Sequence, residues 1–225
     1  LWSISLTAAH HALVFNPAYL AVHTGAQVSF RALDTGEEKW TLPEVSNIAF
    51  TPDGTRLAVS GAVSADATLL NIPIILWNTA THEETGHFII ETGYKASVSI
   101  IPSLAFSPDG KWLAVGAQAK TADGSEGLAY VWDMTKNAAG PVWRGHKSQV
   151  ACLAFTKDGA RLATGGNDGS AMLWNLTNDA PPLTLAGHAS NLTSLAFSPD
   201  GQRLVTASLD GTFKNVRKTQ LEARR

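Results

Sequence analysis

The stretch ATGGNDGSAMLWN, from Ala163 to Asn175, places a polar turn between two short apolar runs. Asn167-Asp168-Gly169 is typical of a tight turn, since Asn and Asp satisfy local backbone groups and Gly adopts positive φ. The apolar runs on either side have the length of short strands rather than helices. Upstream, CLAFTKDGARLAT begins at Cys152 and repeats the pattern of strand, turn and strand. The local prediction is a series of β-hairpins.

The same frame recurs along the chain. SLAFSPDGKWLAV begins at Ser103, SLAFSPDGQRLVT at Ser194 and NIAFTPDGTRLAV at Asn47, and a weaker LVFNPAYLAV begins at Leu13. The phenylalanines of the five units are Phe15, Phe50, Phe106, Phe155 and Phe197, at intervals of 35, 56, 49 and 42 residues. Four short strands repeated about every 42 residues favour a β-propeller over a sandwich or a barrel. We therefore predict an all-β propeller of five four-stranded antiparallel blades.

At this point the chain resembles the WD-repeat (WD40) β-propeller family over about Leu13 to Thr212. The resemblance rests on the repeated PDG turns, on the NDG and LDG turns, and on three dipeptides: Gly145-His146, Gly187-His188 and Trp132-Asp133. Each motif is weak alone, but together and in phase they are specific.

The resemblance implies a hydrogen-bonded tetrad in each well-formed unit, made of a histidine, a Ser or Thr, a turn aspartate and a tryptophan. One unit has all four members, namely His146, Thr164, Asp168 and Trp174. The last unit has His188, Thr206 and Asp210, with Val216 at the tryptophan position. Because these His/Asp pairs recur with the repeat, a structural role is favoured over a catalytic or metal-binding one. The earlier units lack the set, and Glu126 stands where the third would have its aspartate.

For domain organisation, we expect one propeller domain over residues 1–218 and a basic tail over residues 219–225. We expect LWSISLT, from Leu1, to close the ring as the outer strand of the last blade, which would protect its edge. The alternative is that the chain is part of a larger ring. The start at Leu1 rather than Met keeps this alternative open.

Composition and charge exclude several classes of function. The net charge of −2 gives no electrostatic basis for a nucleic-acid or membrane partner. Cys152 is the single cysteine, which excludes an internal disulfide and fits a reducing, cytoplasmic setting. The sequence carries no catalytic motif or zinc-type cluster. We expect no enzyme activity, metal or cofactor, and the oligomeric state stays open.

The leading hypothesis is a non-enzymatic module that binds a protein or peptide on the top face of the propeller. In the second and third units, the segments from Gly61 and Gly116 add seven or eight residues between the second and third strands. Loops on a rigid scaffold commonly carry recognition. The alternatives are a sensor or regulatory segment of a larger signalling protein and, less favoured, an enzyme on a propeller scaffold. The candidate contact residues are Asp66, Thr68, Leu69, Leu70, Trp112, Lys120, Asp123, Ser125 and Glu126.

Overall fold

The computed structural model describes residues 11–15, 19–24, 27–61, 71–91, 103–121, 124–178 and 180–217. Every regular element in these ranges is a β-strand, and each sheet contains only antiparallel neighbours in chain order. This confirms the all-β prediction and the four-stranded antiparallel repeat.

The described residues form five sheets. The first contains β1 (His11–Phe15), β2 (Tyr19–Thr24), β3 (Gln27–Ala32) and β4 (Glu38–Pro43). The second contains β5 (Val45–Phe50), β6 (Arg56–Gly61), β7 (Asn71–Asn78) and β8 (Glu83–Glu91). The third contains β9 (Ser103–Phe106), β10 (Trp112–Thr121), β11 (Gly124–Asp133) and β12 (Ala138–His146). The fourth contains β13 (Val150–Phe155), β14 (Arg161–Gly166), β15 (Ala171–Asn175) and β16 (Leu183–Leu185). The fifth contains β17 (Leu192–Phe197), β18 (Arg203–Ser208) and β19 (Phe213–Arg217).

The turns between the first two strands of the second to fifth sheets share one hydrogen-bonded design. In the second sheet, Asp53 accepts hydrogen bonds from the Thr51 hydroxyl at 2.6 Å and from the Thr55 amide at 3.0 Å. The Thr51 oxygen accepts in turn from the Arg56 amide at 3.0 Å. Gly54 closes the turn at φ 71°, a conformation that favours glycine. The same set is built around Asp109, Asp158 and Asp200.

The hydrophobic core lies between successive sheets. Its four buried clusters each join two consecutive sheets. Phe30 of the first sheet packs with Leu57 of the second, for example, and Ala163 of the fourth packs with Leu204 of the fifth. The first strands β5, β9, β13 and β17 lie next to one another in that order. The sheets therefore stack face to face along the chain.

Three expectations lie outside the described residues. The segment LWSISLT and the tail 219–225 are not part of the described residues. The described part of the last sheet has three strands. Closure of the ring, its number of blades and the domain limits stay predictions.

Candidate functional site

Residues of the segment 163–175 form a buried hydrogen-bonded cluster with His146 across the third and fourth sheets. His146, at the end of β12, lies with Nε2 2.7 Å from Oγ1 of Thr164 in β14. The indole N–H of Trp174, in β15, donates to that same oxygen at 2.9 Å. Asp168, in the turn between β14 and β15, lies 3.1 Å from Nδ1 of His146. The histidine therefore belongs to one sheet and its three partners belong to the next.

The chemistry of the partners sets the direction of each hydrogen bond. Indole can only donate and an ionised carboxylate can only accept. Nδ1–H of His146 therefore donates to Asp168, and Nε2 accepts from the Thr164 hydroxyl, whose oxygen accepts from Trp174. Both imidazole nitrogens are committed, which leaves no lone pair for a general base and none for a metal ion.

Burial and hydrogen bonding shift the pKa of both ionisable members. Burial lowers the pKa of His146, and the Asp168 carboxylate opposes that effect in part. For Asp168, burial raises the pKa, but hydrogen bonds from Ser170 and from the Lys147 amide outweigh it and lower the pKa overall. The Lys147 amide donates to the carboxylate at 2.7 Å. A neutral imidazole beside an ionised aspartate is the state that this network favours.

A second cluster ties the connection between β16 and β17 to the fifth sheet. Nε2 of His188 lies 2.9 Å from Oγ1 of Thr206, and Nδ1 lies 3.0 Å from Asp210. The Ala189 amide donates to the same carboxylate at 2.9 Å. Val216 stands opposite Leu204, as Trp174 stands opposite Leu162 in the fourth sheet. The hydroxyl of Thr206 thus lacks the indole donor that Thr164 has.

Aromatic contacts also join consecutive sheets, both with and without a tetrad at the junction. Phe88 of β8 stacks on Trp132 of β11 with ring centroids 4.1 Å apart. The indole N–H of Trp132 donates to the side chain of Asn137 at 3.3 Å, so this tryptophan does not rely on packing alone. Trp143 of β12 stacks on Trp174 at 5.3 Å in the same way. An aromatic side chain of an outer strand therefore covers the third-strand tryptophan of the following sheet.

The added residues of the third unit lengthen two strands. β10 pairs with β11 without interruption from Trp112↔Asp133 to Thr121↔Gly124. Among the residues that the structure describes, β9 pairs with β10 as far as Gly116, and β12 pairs with β11 as far as Gly127. Residues 117–121 and 124–126, here named the ribbon, therefore extend beyond the described parts of β9 and β12. The inserted residues between the second and third strands therefore continue the antiparallel ladder of the sheet.

The ribbon packs against the second sheet. Ala117 and Ala119 are fully buried and share one cluster with Ile72 and Ile90. Ile72 and Ile90 are opposite each other where β7 and β8 extend past the described end of β6. Small side chains at alternate positions of the ribbon allow this close approach. The second sheet therefore supports the ribbon of the third sheet at this end of the molecule.

The structure brings some of the predicted contact residues together. Lys120 and Ser125 are opposite each other in the ribbon, and Glu126 follows Ser125. Glu126 pairs with Arg144 of β12 at 2.7 Å, a partner that the sequence analysis did not name. Trp112 lies at the other end of β10 and packs half-buried against the cluster between the third and fourth sheets. Asp66, Thr68, Leu69, Leu70 and Asp123 lie outside the described residues.

The sequence itself carries a signal for the packed ribbon. GAQAKT, from Gly116, has alanine at every second position, as expected of a strand with one face against a neighbour. In the described ranges, no group of three or more His, Cys, Asp or Glu side chains is placed to hold a metal ion. In the same ranges, no helix has the length and apolar character needed to cross a bilayer.

Antiparallel four-stranded meanders that stack in chain order define a class of β-repeat proteins. A family model described as "WD domain, G-beta repeat" matches residues 86–133, 140–175 and 180–214, which together exceed half of the chain. The chain belongs to the WD40 repeat family.

Two relatives from Nicotiana tabacum match part of the chain. The guanine nucleotide-binding protein subunit beta is 30% identical over 131 residues, and subunit beta-1 is 30% identical over 127 residues. Each match covers 54% of this chain and 29% of the relative's length. The aligned part therefore spans less than a third of either relative.

Proposed function

We propose that this protein is a non-enzymatic interaction module that binds a protein or peptide partner at the ribbon end. The ribbon carries this proposal, because it extends past the described parts of β9 and β12 and is held by the neighbouring sheet. Membership of the WD40 family and the similarity to proteins named as subunits of an assembly support it. A surface that is already ordered costs less conformational entropy to bind than a free loop does.

The rigidity of the ribbon comes from two sets of contacts. On its buried side, Ala117 and Ala119 pack against the second sheet. Leu128, which follows the ribbon in β11, belongs to the same buried cluster. At its edge, the ion pair between Glu126 and Arg144 joins β11 to β12. Lys120 and Ser125 are a register pair between these supports and the last described pair of the ribbon, and we assign them to partner contact.

The decisive experiment is to remove the ribbon. In one variant, GNDGS, which connects β14 to β15 as residues 166–170, replaces residues 117–128. A second, milder variant combines Lys120→Glu with Ser125→Arg and retains the buried alanines. The control is Arg203→Gln, at the opposite end of the fifth sheet. Bound proteins are captured from cells with each variant, cross-linked and quantified by mass spectrometry.

We expect both ribbon variants to lose the same set of partners, and the control to keep that set. Circular dichroism and thermal unfolding establish that each variant is folded. Retention of every partner by the folded ribbon variants would refute the proposal. Loss of the same partners by the Arg203 control would also refute it.

A further inference from the structure

A groove runs between the second and third sheets at the end away from the ribbon. Its main part is a cavity of about 610 Å³ lined by the turn 51–56, by residues 108–111 and by Met134 and Thr135. An adjoining cavity of about 360 Å³ continues past Leu76 and Phe88 along β8. Arg56 and Met134 line both parts, so the two form one continuous groove. The length of β10 separates it from the ribbon tip by about 30 Å.

Most charged groups in the groove are already neutralised or hydrogen-bonded. Asp53 accepts from both Thr51 and Thr55, and these bonds lower its pKa. Asp109 accepts from Ser107 and pairs with Lys111 at 3.1 Å. These groups therefore have little capacity left for a ligand.

Arg56 is the exception. Its side chain is exposed, and within the described ranges no carboxylate lies within ion-pair distance of its guanidinium. Arg161 and Arg203, which hold the same position in later turns, act on their own aspartates and help to lower the pKa of Asp158 and Asp200. An exposed guanidinium offers two parallel N–H donors that match a carboxylate.

Beside Arg56, the groove also has apolar side chains and unfilled space. Pro52 and Pro108 form the sides of the main part, and Met134 lies at the junction. Methionine adapts its shape to different apolar ligands. Gly86 lines the adjoining part of the groove. A Cβ placed on Gly86 would meet no atom within 4 Å, which leaves space there for the backbone of a bound peptide.

We propose that this groove binds an extended acidic peptide segment of a partner protein. A Glu or Asp side chain of the segment pairs with Arg56, and an adjacent apolar side chain packs on Met134. A single carboxylate suits the site better than a phosphate group, because Asp53 and Asp109 would repel the greater charge of a phosphate.

The test begins with random peptides of about ten residues, displayed and selected on the wild-type protein and counter-selected on Arg56→Gln. Enriched peptides are synthesised with the acidic residue intact, changed to its amide, or replaced by phosphoserine. Binding is measured by fluorescence polarisation. The charge control is Arg203→Gln, which occupies the same turn position outside the groove, and Gly86→Leu serves as a steric block.

We expect enriched peptides to contain an acidic residue and to lose about tenfold in affinity when it is amidated or when Arg56 becomes Gln. Gly86→Leu should weaken binding and Arg203→Gln should not. The proposal is overturned if no peptide is enriched or if the amide form binds equally well. It is also overturned if Arg203→Gln matches the effect of Arg56→Gln. Tighter binding of the phosphoserine form would replace it with a phosphate-binding site.

Discussion

His146 and Trp174 meet at one oxygen, Oγ1 of Thr164, at 2.7 and 2.9 Å. The histidine comes from the third sheet and the tryptophan from the fourth. A single hydroxyl therefore satisfies two buried nitrogens from consecutive repeats and ties the repeats together. Because the contact is shared, the loss of this hydroxyl affects both sheets.

Thr164→Val is expected to lower the free energy of unfolding by about 2–4 kcal/mol, since it strands two buried nitrogens in a nearly isosteric change. The matched variant Thr206→Val strands only His188 and should cost about 1–2 kcal/mol. Denaturant unfolding of both variants gives the comparison. Equal costs would contradict the shared role of Thr164.

The stability should fall on mild acidification. The pKa of His146 in the folded protein lies below its usual value near 6.5, so the unfolded chain takes up the proton first as the pH falls. This contribution is complete above pH 6.5 and is lost as the pH falls toward the lower folded pKa. Asp168 also has a lowered pKa, and its contribution is lost only below its usual value near 3.8.

The check is the free energy of unfolding of wild type and His146→Gln over the range from about pH 7.5 to 5. His146→Gln should be less stable at neutral pH, and its free energy of unfolding should fall less steeply as the pH is lowered. A variant that retains the full decline would show that another group is responsible.

Val216→Trp should complete the second tetrad. An indole at this position would donate to Oγ1 of Thr206, as Trp174 does to Thr164, and we expect a gain of about 1 kcal/mol in unfolding free energy. Val216→Phe is the control, because it adds a ring without a donor. The prediction fails if the phenylalanine variant gains as much as the tryptophan variant.

Ala119→Asp should release the ribbon from the second sheet. The buried carboxylate would have no counter-charge within the apolar cluster, so we expect a loss of about 2–4 kcal/mol. Hydrogen exchange of residues 117–121 and 124–126 should rise locally. Ser125→Asp, in the same ribbon, should change exchange little, and an equal effect at both positions would argue against the packing described.

The recurring local motifs made the strands and turns predictable. The PDG segments specify their own geometry, because the aspartate bonds to neighbouring groups and glycine tolerates positive φ. The members of the complete tetrad and of the three-membered second cluster could be named from their spacing and family resemblance. The extra length between the second and third strands could be read from the sequence, but the surface of the second sheet that packs against the ribbon could not.

Arg56 marks the limit of such prediction. In the sequence it is equivalent to Arg161 and Arg203, and only the packing of the third sheet beside the second makes it part of a groove. Arg144 likewise gained a role only when β12 was placed beside β11. Contacts between sheets join residues far apart in the chain, and local periodicity carries no information about them.

The sequence by itself determined the repeat, the strand alternation and the turns, because these depend on interactions within a few residues. It also determined which histidines have a carboxylate and a hydroxyl at the right spacing. Only the tertiary structure decided that each of these histidines closes the junction with the following sheet. It also decided that two alanines pack the ribbon against the neighbouring sheet and that, of three equivalent arginines, Arg56 lies beside a groove, because each outcome depends on which surfaces meet.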